Sequence, residues 1–149
     1  MVFLILLALM AGLGFFHHFS LGGLMRILPA WVYRHRIKPL VIFGGMAVVH
    51  FVEIALLGAV IAGLSHSQWP DSFSPGFGEG YMDYLFLSAT LFTTLGYADF
   101  QLEGPMRMIG AGVSLLGFMT LTWSATFLYA MCSSAWHDIA EEKLNGEDP

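Results

Sequence analysis

Three stretches of the chain are built almost entirely of apolar residues, and polar residues either lie between them or appear singly inside them. Val2 to Phe16 is uninterrupted, and its helical pattern continues past His17 and His18 through Leu21, Leu24 and Ile27 toward Pro29. Leu40 to Leu64 is broken by His50 and Glu53, and Met106 to Cys132 is the third run. A hydrocarbon layer of about 30 Å takes about 20 residues of helix to cross, so the pattern predicts three membrane-spanning helices. A cleaved signal peptide is the rival for the first, but no basic segment precedes the apolar run and no small-residue cleavage site follows it. A fourth run, Tyr81 to Thr93, is too short to cross and is predicted to enter and leave the bilayer on one side.

The connections fix the orientation. Arg26, Arg34, Arg36 and Lys38, four of the six basic residues, cluster around a short loop that also holds Trp31 and Tyr33. By the positive-inside rule that loop is cytoplasmic, with the two aromatic rings at the interface, so the N-terminus faces outward and the C-terminus lies in the cytoplasm. Pro70, Pro75 and three glycines break regular structure between Ser65 and Gly80, giving an outer loop. The expected division is therefore a first helix over 1–30, a cytoplasmic loop over 31–39, an outer helix over 40–64, the loop over 65–80, the short helix over 81–93, a polar run over 94–99, a third helix over 106–132 and a tail over 135–149.

Composition agrees with this division. At 149 residues, 56% hydrophobic and 11% charged, with a mean hydropathy of +0.68, the chain is too apolar for an ordinary soluble domain. A net charge of −5 gives no reason to expect nucleic acid, and the single cysteine, Cys132, excludes an internal disulfide framework. A tail over 135–149 is not expected to hold a soluble ligand-binding domain.

The run from Ser88 to Asp99 is rich in hydroxyls and carries a glycine, yet it lies between two spanning segments. Irregular backbone survives at membrane depth only where protein buries it or where it lines a cavity. Thr93-Thr94-Leu95-Gly96-Tyr97-Ala98-Asp99 resembles the selectivity filter of potassium channels, whose usual form is Thr-Thr-Val-Gly-Tyr-Gly-Asp. The resemblance implies a re-entrant pore helix over 81–93 with Thr90 near its end, and a filter in which Thr93 and Asp99 give support. It further implies K+ coordinated by the Thr94 hydroxyl and the carbonyls of Thr94, Leu95, Gly96 and Tyr97, with a pore domain over 40–134. Four loops must ring one axis, so a homotetramer follows. Ala98 replaces the family's second glycine, the main departure. Gly117, on the third helix, lies near the place of that family's gating-hinge glycine; close packing against a neighbour is the other reading. Tyr84, Phe86 and Phe92 are expected to pack around the filter. Asp71, Glu79, Asp83, Asp99 and Glu103, opposed by Arg107, either concentrate cations at the outer mouth or form a solvated loop surface.

His17, His18, His50 and Glu53 are ionisable groups within spanning segments, where such groups are expensive and usually pair with one another. In an antiparallel hairpin turning at residue 34 or so, positions 18 and 50 share a depth, roughly 18 Å from the cytoplasmic ends at 1.5 Å per residue. Trp123 and Ser124 fall at a similar depth. His50 and Glu53, three apart, share a helix face. A cluster of His18, His50 and Glu53 joining the first two helices is expected. Three roles are open to the group: a hydrogen-bonded latch, a proton sensor, since histidine titrates near neutrality, and a metal or haem site.

The sequence thus points to an all-α membrane protein of three transmembrane helices with a re-entrant pore helix and filter loop, tetrameric, in the cell (inner) membrane. Its expected function is passive K+ conduction with no chemical catalysis and no organic cofactor. A non-selective cation channel, suggested by Ala98, and a small membrane haem or metal protein are the alternatives.

Overall fold

The computed structural model describes residues 1–27, 37–96 and 101–144; at 134, 135 and 138–144 it describes the backbone alone. Four helices follow in order: α1 over Val2–Ile27, α2 over Lys38–Ser67, α3 over Tyr81–Phe92 and α4 over Met106–Leu144. Three segments, Val2–Ile27, Lys38–Ser67 and Met106–Ser133, are long and apolar enough to cross a membrane.

Local chemistry sets the helix ends. Pro39 occupies the first turn of α2, where its fixed φ suits a helix start and its missing N–H goes unneeded. Gln68 N–H closes on the Leu64 carbonyl at 2.9 Å, and Pro70 follows. Gly80 starts α3, its N–H donating to the Asp83 carboxylate at 2.9 Å, so Asp83 satisfies one end of a helix. α4 runs past the expected end at Cys132 through Leu144. Loss of apolar character does not stop it, because no Gly or Pro occurs between Ser133 and Leu144.

α3 lies between α2 and α4, and α1 lies against α2 and α4. One apolar cluster joins Leu13, Ile54, Leu57, Ile61, Tyr84, Leu87, Phe92, Met106, Ile109, Val113 and Leu116. A second joins Leu21, Ile42 and Met46. In sequence, His17 falls between Leu13 and Leu21, and His50 and Glu53 fall between Met46 and Ile54, so a polar layer separates the two clusters.

Glycines let backbones touch. A Cβ on Gly58 would stand 3.2 Å from the Tyr84 carbonyl oxygen and 3.1 Å from Ser88 Oγ, and Ser88 Oγ donates to the Ile54 carbonyl at 2.9 Å. On the other flank of α3, a Cβ on Gly117 would overlap the Phe92 carbonyl. Outside the helices, Phe73 and Leu102 form an isolated antiparallel bridge, reinforced by Ser74 N–H to the Gln101 carbonyl at 2.9 Å and Glu103 N–H to the Ser72 carbonyl at 2.8 Å. The segment leading back to α4 is thereby pinned to the outer loop. Phe73 and Phe77 stack at 4.0 Å, each edge-on to Tyr84, whose hydroxyl meets Ser65 Oγ at 2.8 Å.

Candidate functional site: a helix-end turn and a buried histidine–glutamate cluster

The first candidate site is the turn that leaves α3. Thr93 N–H bonds the Ala89 carbonyl at 3.0 Å, Thr94 N–H the Leu91 carbonyl at 3.1 Å and Leu95 N–H the Thr90 carbonyl at 3.1 Å. Thr94 has φ +57°. This is a Schellman ending, which needs one residue in the left-handed conformation and usually takes glycine there. Threonine fills it here at a cost of about 1–2 kcal/mol. Gly96 also has positive φ, +65°, and Leu95 between them does not. Thr94, Leu95 and Gly96 are all exposed. Tyr97, Ala98 and Asp99 lie outside the described residues.

The residues behind the turn are buried. Phe92 has no exposure, its ring 5.6 Å from that of His50 and its carbonyl on Gly117. Thr90 turns into the core and donates to the Leu87 carbonyl at 2.8 Å; Thr93 donates to the Ala89 carbonyl at 2.7 Å. Tyr84 is buried too, whereas Phe86, also expected to pack around the filter, is exposed in the single chain, on the side of α3 away from the packed face that holds Tyr84, Leu87 and Ser88. A groove of about 690 Å³ opens beside the turn, with Thr94, Gly96, Gln101, Arg107 and Ser114 on its walls. Of the acidic residues, Asp83 is used as the α3 cap, whereas Asp71, Glu79 and Glu103 are exposed.

The second site is the polar layer. Glu53, with no exposure, receives His17 Nδ1 on one oxygen at 2.8 Å and His50 Nδ1 on the other at 2.8 Å. The two rings stack with centroids 5.5 Å apart. His17 is fully buried, and its Nε2 meets Ser124 Oγ at 3.2 Å. In the tautomer that fits, both histidines donate Nδ1–H to the carboxylate and Ser124 donates to His17 Nε2. Every buried side-chain N and O among the described residues has a partner.

His17 replaces His18 in the expected cluster. Depth alone does not separate neighbours 1.5 Å apart, but they point about 100° apart around a helix. The α1 face toward the other helices carries Leu13, His17 and Leu21, a four-residue spacing visible in the sequence. His18 is exposed, packed against Phe19 and Trp123. The Phe92–Gly117 contact had no sequence signal beyond the glycine itself.

No protein-family model, curated protein or solved structure matches the chain.

Proposed function

We propose that the chain is one subunit of a tetrameric channel that conducts K+ across the cell membrane. The carrying observation is the backbone at 93–96: a helix of 12 residues, about 18 Å long and so too short to cross, ends between two membrane-length helices in a turn with positive φ at Thr94 and Gly96. The turn carries the filter-like sequence and stands exposed, free to face an axis shared with other copies. The C-terminal end of α3 carries roughly half a negative charge, and four such ends aimed at one point favour a cation. Carbonyl oxygens of Thr94, Leu95, Gly96 and Tyr97 then replace the ion's water shell. The N-terminus is outside, the tail inside, and transport is passive.

The test is Gly96→Ala in reconstituted vesicles. Among the described residues of one chain a Cβ at Gly96 meets nothing within 4 Å, so the expected cost is conformational, about 1–2 kcal/mol in each of four chains. K+ flux is expected to disappear while the protein still inserts; undiminished flux rejects the filter. Ala98 supports a second reading, a channel that passes Na+ as well, and reversal potentials in opposing K+ and Na+ gradients separate the two.

A further inference from the structure

We infer that His17, His50 and Glu53 form a binding site for a divalent first-row transition-metal ion of the Zn2+ class, set between α1 and α2. The site is independent of whether the chain conducts. One ligand atom from each residue lies within 4.8 Å of the others. An ion with bonds of about 2.0–2.1 Å to nitrogen and oxygen holds its tetrahedral ligands about 3.3 Å apart. Each Nδ1 is now 2.8 Å from its own carboxylate oxygen and the three ligand atoms lie within 4.8 Å of one another, so admitting an ion asks the bonded pairs to separate by about half an ångström and any wider spacing to close toward about 3.3 Å. Two imidazoles and one carboxylate suit Zn2+, Fe2+ or Co2+; Mg2+ and Ca2+ want oxygen alone, and Cu+ wants sulfur.

The network accommodates the change. When Nδ1 turns from hydrogen-bond donor to metal ligand, a neutral imidazole must move its proton to Nε2. For His17 that proton meets Ser124 Oγ, already 3.2 Å away, and a hydroxyl accepts as readily as it donates. Such a partner fixes ring and tautomer in metal-bound histidines. There is also a way in: His50 and Ser124 line an apolar groove of about 520 Å³ that also touches Thr93. The His50 side chain keeps 16% exposure, whereas Glu53 and His17 keep none. Three protein ligands leave at least one position open toward that groove, as in sites that exchange a ligand. The His50 ring also lies against Phe92, the last residue of α3.

The experiment uses the full chain, purified in detergent without a polyhistidine tag and titrated with Co2+. One Co2+ per chain is expected, giving the visible absorption of a four- or five-coordinate site, displaced by Zn2+. His17→Ala, His50→Ala and Glu53→Gln should each abolish that spectrum. Ser124→Ala, which keeps all three ligands and so decides the matter if a ligand variant does not fold, should weaken affinity by about 10–100-fold. His18→Ala and His66→Ala should bind as wild type. Absence of the Co2+ spectrum in the wild-type chain, its survival in His50→Ala, unchanged affinity in Ser124→Ala, or its loss in His18→Ala or His66→Ala would each overturn the assignment.

Discussion

Thr94 is the residue at which local preference and the proposed function pull apart. A left-handed position at the end of a helix favours glycine, and a β-branched side chain is among the worst occupants. Strain of this kind persists where the surroundings over-determine it, commonly at functional positions. Thr94→Gly is therefore expected to raise the stability of the detergent-solubilised chain by about 1 kcal/mol, the relief of the αL cost being partly offset by greater freedom of the unfolded chain. The same change removes a hydroxyl from the proposed innermost ion site, so K+ selectivity should fall as stability rises. Thermal unfolding beside reversal potentials checks both; a less stable Thr94→Gly chain would show that the threonine is held by contacts worth more than its strain. The sequence makes a glycine-dependent turn legible at Gly96, because the motif and the permissive residue coincide. The positive φ at Thr94 was not legible, since nothing in a threonine announces it. His17 was nearly so: the spacing of Leu13, His17 and Leu21 selects it over His18 once helix face is weighed with depth.

At the scale of elements, length and apolarity mark the three long helices plainly, and the shortness of α3 sets it apart. Which face of each helix turns inward is harder to read. Helices that are apolar nearly all round carry little directional pattern, so neighbours are chosen by close packing at a few small residues. Gly117 is the clearest of these. If it served solely as a point of bending, Gly117→Ala would strengthen α4 by about 1 kcal/mol through helix propensity. Packed as it is under the Phe92 carbonyl, the added methyl must instead push the end of α3 away from α4, and overpacking of this kind costs about 1–3 kcal/mol. Gly63→Ala on α2 is the control, because a Cβ there meets nothing within 4 Å. Unfolding midpoints should drop for Gly117→Ala and hold or rise for Gly63→Ala. A Gly117→Ala chain more stable than wild type would favour the hinge.

For the whole molecule, the telling surface is the one that the proposed tetramer would cover. Leu95 is 74% exposed in a turn whose neighbours, Thr94 and Gln101, line a partly polar groove. On α4, Leu115, Phe118 and Met119 are exposed together with Thr122 and Thr126, whose hydroxyls bond back to the Phe118 and Thr122 carbonyls. Lipid can cover the apolar side of a helix, but a leucine beside a polar groove suits a protein neighbour better, and in the proposed channel that neighbour is another copy of the chain. Burying a leucine is worth about 1.5–3 kcal/mol, and a fourfold ring does so four times. In the isolated chain Leu95 is exposed, so Leu95→Asp should leave the subunit fold intact and act between chains. Native mass measurement of the wild-type protein in detergent is expected to give four times the 16.4 kDa subunit. The Leu95→Asp protein should keep its helical content while shifting to smaller species and losing K+ flux. A wild-type mass of one or two subunits would exclude a four-loop filter outright. An intact Leu95→Asp tetramer with normal flux would place the contact between copies elsewhere, on the α4 face around Phe118.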